Sequence, residues 1–252
     1  FFFFVCIYFF LTKFHFFLKI DYWINREYRR TNTIKKIKEQ FFEESSIELE
    51  RFLKKDRYIE LLNALDTTHT INSWKKIGPV NKRNYSIYQH DNEEEENNNN
   101  MIEKFQTFLS SSIFQEYLFN LLNISTTSIY QECRQFTSGD YCLAYDTNPE
   151  NEASGLDLYF SCIDDKTATQ WKTNTGGTVH YVLQGEEEEI LRILPKINCL
   201  ALVYRGAPGV IYMHKYLRHD TTFTPKRVEF NAIYRVQDDD DEDDSNDSTS
   251  DQ

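Results

Sequence analysis

Residues 195–217 read PKINCLALVYRGAPGVIYMHKYL, and the fold turns on how this stretch is read. CLALVY (199–204) is an unbroken apolar run, fenced by Pro195 on one side and by Gly206, Pro208 and Gly209 on the other. An apolar run that short between turn residues is a buried strand. After the Gly-Pro-Gly break the chain resumes as a second strand, VIYMH. Upstream, Leu156, Leu158, Phe160 and Cys162 alternate with Asp157, Tyr159 and Ser161, a period of two. Val179, Tyr181 and Leu183 do the same behind the pair Gly176-Gly177, which reads as a turn before a strand. Downstream, Val228, Phe230, Ala232, Tyr234 and Val236 form the last strand. Short strands separated by turn signals over residues 130–236 predict a sandwich or a barrel.

Ahead of this block the period becomes helical. Residues 40–66 predict helix: Ser45 and Glu48 stand at capping-box spacing, 47–53 and 59–65 read as helical, and Asp56 offers a restart. Residues 101–123 predict an amphipathic helix, with Ile102, Phe105, Leu109, Ile113, Tyr117 and Leu121 on one face. GPVNKRNY (78–85) reads as a turn or extended connection. EEEENNNN lies in an expected polar loop over 91–100. The predicted architecture is α+β and mainly β, with helices packed before a barrel.

The chain has 252 residues and a formal net charge of -12. The nine acids of residues 238–252 and the four of residues 93–96 carry all of that excess, so the rest stands at +1. A near-neutral body does not support a general nucleic-acid surface, although residues 28–38 are polar and basic. Residues 237–252 are expected to be a disordered acidic tail. The five cysteines, Cys6, Cys133, Cys142, Cys162 and Cys199, include no C-x-x-C spacing. That argues against zinc and against a disulfide framework, and for a reducing compartment, the cytoplasm or nucleus. Residues 1–20, FFFFVCIYFFLTKFHFFLKI, are expected to be an aberrant apolar leader or an artefact of translated AT-rich sequence. The run before Lys13 is short for a membrane span, which wants about 20 apolar residues.

Several stretches occur in one consistent order: DYWINREY (21–28), FFEESSIELERFLKKDRY (41–58), GPVNKRNY (78–85), SGDYCLAYD (138–146), GLDLYFSC (155–162), Trp171 followed by Gly176-Gly177, GEEEEILRILPKINCLALVYR (185–205) and HKY (214–216). Together they resemble the C-terminal half of the ribosomal prolyl hydroxylases. These are 2-oxoglutarate- and iron-dependent oxygenases that modify a proline of a small-subunit ribosomal protein. The resemblance covers residues 21–236. It implies a double-stranded β-helix (jelly-roll, cupin-like) domain of the non-catalytic kind, which in fungi regulates degradation. Fe(II), 2-oxoglutarate and ascorbate would then belong to a separate N-terminal domain. Implied partners are a small-subunit ribosomal protein, a regulator, or a second copy of the chain.

The iron-binding pattern of such enzymes is two His and one carboxylate on one face. Its sequence form is His-x-Asp or His-x-Glu with a distant His. The six histidines, His15, His69, His90, His180, His214 and His219, are followed two residues on by Phe17, Ile71, Asn92, Val182, Tyr216 and Thr221. None is acidic. By resemblance, Tyr145 falls at the first His position, Thr147 at the carboxylate position and Met213 at the distal His position. These degenerate positions make no ferrous triad, so the expectation is no catalytic and no metal residue. His214 is expected on the opposite strand face from Met213. Arg227 is the one cofactor-binding candidate, a carboxylate clamp for 2-oxoglutarate, weighed against a surface or rim arginine. Asp146 and Asp157 are expected at turns or outward positions. The competing readings are a working peptidyl-proline dioxygenase with altered ligands and a membrane-anchored binding protein.

Overall fold

The computed structural model describes residues 19–66, 73–89, 100–143, 154–186, 188–206, 209–219 and 222–236. The acidic tail, most of the apolar leader and most of the 91–100 loop lie outside these residues.

A 3-10 turn, η1 (Arg26–Arg29), leads into helix α1 (Thr31–Glu44). Helix α1 buries Ile37 and Phe41, one turn apart on one face. It ends where Ser45 takes a left-handed conformation, φ 54°, and donates its amide to the Phe41 carbonyl. The chain then enters strand β1 (Ser46–Glu50), which pairs antiparallel with β9 (Cys199–Arg205). The expected helix over 47–53 is therefore a strand, and Ser45 stops a helix instead of starting one. The physical reason is tertiary: Ile47 and Leu49 alternate with Glu48 and Glu50 and bury against the core, completing a sheet edge. Helix α2 (Lys55–Asp66) follows, near the restart expected at Asp56. The 78–85 stretch turns between β2 (Trp74–Ile77) and β3 (Arg83–Tyr88).

The single helix expected over 101–123 is two. Helix α3 (Met101–Ser110) stops at Ser111, whose hydroxyl accepts from the Phe114 amide and starts α4 (Ser112–Leu122). Serine at that position satisfies a free first-turn amide, which favours a new start.

The remaining strands are β4 (Thr126–Thr137), β5 (Tyr141–Cys142), β6 (Gly155–Cys162), β7 (Val179–Leu183), β8 (Glu189–Ile193), β10 (Val210–His214) and β11 (Lys226–Val236). They run in the order β1-β9-β6-β11-β4-β3-β5-β10-β7-β8, every recorded pairing antiparallel. The sheet curls on itself at β3, so β5, β10, β7 and β8 form a smaller layer facing the larger one. This is a jelly-roll-like barrel with helices on one side.

Every residue of β6 is buried, which resolves its alternation into two interiors. Leu156, Leu158, Phe160 and Cys162 pack with Phe105, Phe52 and Leu61 in the helix-facing core. Asp157 and Tyr159 point the other way, between the sheets, with Tyr181, Val203 and Tyr212. Each apolar side chain so buried contributes on the order of 1.5–3 kcal/mol. Among the described residues no helix is long and apolar enough to cross a membrane.

Candidate functional site

The barrel interior is where an enzyme of this shape would work, and strand alternation decides what reaches it. In β11, Val228, Phe230, Ala232 and Tyr234 face the helices, so Arg227 and Glu229 face inward. In β10, His214 pairs with Val179 and turns inward, stacking on Phe136 at 4.8 Å. Met213 pairs with His180 and takes the outer face, half-buried. The facing expected from the family pattern is therefore reversed: His214 is the inward residue. The aromatic run Tyr181, Tyr212 and Tyr159 fixes this phase: Tyr159 packs edge-on to Tyr181 and Tyr212, and both Tyr159 and Tyr212 pack edge-on to His214.

Glu229 is fully buried at the centre. His214 Nε2 lies 2.7 Å from Glu229 Oε1, and Arg227 Nη2 donates to Glu229 Oε2. Arg134 Nη1 stands 4.0 Å from the same carboxylate, while its Nε holds Glu132 at 2.7 Å. Burial alone would push the Glu229 carboxyl up. Arg227 and His214 outweigh it and hold the group down at about 2. Burial pushes His214 below its ordinary value, against the pull of Glu229, so the imidazole is neutral. The carboxylate at Nε2 sets the tautomer: the proton sits on Nε2, and Nδ1 is left buried without a partner.

Arg227 is thus neither a surface nor a rim residue. It is 2% exposed, and its Nη1 donates to the Gly177 carbonyl. The glycine pair brings that carbonyl in. Gly176 (φ 78°) lies so close to the Tyr216 carbonyl that a Cβ would stand 2.0 Å from its oxygen. Gly177 (φ 64°) has no room beside Leu217 and Trp171.

A second buried pair fills the other end. Arg205 holds Asp157 with Nε at 2.7 Å and Nη2 at 3.0 Å, a forked contact, and the Tyr181 hydroxyl donates to Asp157 at 2.8 Å. Asp157 is completely buried, not outward. Burial pushes its carboxyl up while Arg205 and Tyr181 pull it down; Arg205 itself is held firmly charged.

Iron does not fit these residues. Among the described residues no group of three His, Cys, Asp or Glu could hold a metal ion. His214 presents its bare Nδ1 away from the one carboxylate it touches. That carboxylate is already bound by Arg227 and faced by Arg134. Buried Arg134 Nη1 and Arg227 Nε have no acceptor, an excess of positive donors that would oppose a cation. The only other described imidazole in the sheets, His180, lies on the outer face, between Thr178 at 2.5 Å and Glu189 at 2.5 Å. Tyr145, Thr147 and Asp146 lie outside the described residues.

Arg227 was legible in the sequence as a candidate; Glu229, Arg134 and Arg205 were not singled out. The signal was present in KRVEFNAIYRV, where Arg227, Glu229 and Asn231 alternate with Val228, Phe230 and Ala232. In an open sheet that face would meet water. Here it closes on a second layer.

This geometry defines the class: a double-stranded β-helix shared with the 2-oxoglutarate- and iron-dependent oxygenases. Solved structures agree. A Pseudomonas putida prolyl-4-hydroxylase superimposes with a TM-score of 0.55 at 12% identity, covering 81% of this chain and 100% of that one. A Trichoplax adhaerens prolyl hydroxylase, solved with a hypoxia inducible factor oxygen degradation domain peptide fragment, gives 0.56 at 14% identity over 81% of this chain and 93% of its own. The particular family is shown by the sequence. Residues 17–245 match the family described as oxoglutarate and iron-dependent oxygenase degradation C-term, and the chain belongs to it. It is similar to prolyl 3-hydroxylase OGFOD1 of Xenopus laevis (27% identity, 78% of this chain, 43% of that protein) and of Mus musculus (24%, 78% and 46%). The chain spans a little under half the length of these curated relatives.

Proposed function

We propose that this chain is a non-catalytic C-terminal unit of a prolyl hydroxylase, serving protein recognition, dimerisation or regulation. The observation that carries the reading is the occupied interior. Where an oxygenase keeps open coordination positions, this barrel places Glu229 between His214, Arg227 and Arg134, and Asp157 against Arg205. Iron, 2-oxoglutarate and ascorbate would be handled by another part of the enzyme. The protein acted on would be a small-subunit ribosomal protein, as the family resemblance implies, met in the cytoplasm or nucleus. The four described cysteines are buried and form no disulfide, which suits a reducing compartment.

The test uses a longer prolyl hydroxylase that carries this unit behind a metal-binding half. Removing the unit should leave hydroxylation of a short proline peptide within about threefold and reduce hydroxylation of the folded protein at least tenfold, mostly through KM. Equal losses on peptide and protein would contradict a recognition role.

A further inference from the structure

The strongest unassigned surface is the strip formed by η1 and the first two turns of α1, ahead of Glu39, Glu43 and Glu44 in the rest of that helix. Residues 26–38 hold six cations, Arg26, Arg29, Arg30, Lys35, Lys36 and Lys38, against the single carboxylate of Glu27. Arg26, Arg30, Lys35 and Lys36 are exposed. Asp21 takes Arg29 at 2.5 Å, Glu27 takes Arg30 at 2.7 Å and Glu39 reaches Lys35 at 3.8 Å. The strip remains net positive after these contacts. Arg29, Arg30 and Lys36 line a cleft of about 690 Å³ at the start of α1. The rest of the described body is close to charge balance, so this concentration stands out.

The complementary charge is in the same chain. Residues 238–244 are all acidic, and Asp247 and Asp251 follow. The described chain ends at Val236, which pairs with Thr126 at the start of β4. Three residues earlier Asn123 caps α4, and on α4 the Tyr117 hydroxyl donates to the Tyr28 carbonyl of η1 at 3.1 Å. That chain of contacts covers about 30 Å. Fifteen residues of extended chain reach about 50 Å.

We propose that the η1–α1 strip is the docking surface for the chain's own acidic segment, residues 238–252. Tethering two residues past β11 gives the segment a millimolar effective concentration over the strip, so weak ion pairs suffice. Such pairs are exposed and screened, so docking is salt-dependent. An external acidic partner would have to displace the segment. The proposal does not depend on whether the barrel is catalytic.

Zero-length carbodiimide crosslinking of the full chain, with peptide mapping of the monomer fraction, tests it. The expected result is crosslinks from the carboxylates of residues 238–244 to Lys35, Lys36 or Lys38. They should drop at least fivefold between ~20 mM and ~500 mM salt. The double variant Arg26→Glu, Arg30→Glu keeps all three lysines and reverses two exposed neighbours. It should reduce the same crosslinks at least threefold with an unchanged circular dichroism spectrum. Three results would overturn the proposal: crosslinks spread evenly over Lys75, Lys82, Lys166 and Lys215; crosslinks only between two copies; or none from the acidic segment.

Discussion

Glu229 is the residue on which the interior depends. Removing its carboxylate by Glu229→Ala leaves Arg227 buried without its counter-charge and Arg134 with Glu132 alone, and losing one partner of a buried pair typically costs about 3–5 kcal/mol. A urea titration at neutral pH should show that loss; less than 1 kcal/mol would mean the charges are not coupled as their geometry says. The pH dependence follows from the same group. Its folded carboxyl is held at about 2 against an ordinary 4.5, so its stabilisation is complete above 4.5 and lost as pH falls towards 2. His214 acts in the same sense from higher pH. Its folded imidazole is held below the ordinary 6.5, so the unfolded chain takes up a proton first and stability begins to fall below 6.5. Stability should therefore decline in two stages on acidification, and Glu229→Gln should flatten the lower one. At this scale the sequence revealed Arg227 and the missing His-x-Asp. It hid the partners, because a polar residue in an alternating strand reads the same whether it meets solvent or a second sheet.

At the scale of elements, the strands between 155 and 236 other than β8 were legible because apolar alternation and Gly or Pro breaks agree there. Strand β1 was not. SIELE carries the alternation of a strand, but Glu and Leu favour helix and Ser45 and Glu48 imitate a helix start. What decides is the partner, Cys199–Arg205, about 150 residues away in sequence and invisible to local spacing. Ser45 bears the conformational cost with φ 54°. Ser45→Gly removes the Cβ that disfavours this geometry and should stabilise the chain by about 0.5–1 kcal/mol. Chemical denaturation reads the sign, and a loss of stability would show that the serine side chain contributes something its backbone angle conceals. The break at Ser111 was hidden in a similar way: Ile102, Phe105, Leu109, Ile113, Tyr117 and Leu121 continue the helical period across it, while a serine cap restarts the helix.

At the scale of the molecule, the barrel keeps the outline of an oxygenase while its centre is held by ion pairs and tyrosines. Helices on one face of the larger sheet bury a broad aromatic core, and the smaller layer closes over Glu229 and Asp157. The fold was recoverable from the order of short motifs, each too brief to identify anything alone. The closed interior needed three dimensions, since Arg134, Asp157, Arg205, His214 and Glu229 come from five different strands. The most direct measurement is 2-oxoglutarate turnover by the purified chain under air with Fe(II), ascorbate and a proline-containing peptide, followed as succinate release against iron alone. Turnover should not exceed that background; succinate formed in proportion to the chain and abolished by His214→Ala would contradict the proposal that this unit is non-catalytic.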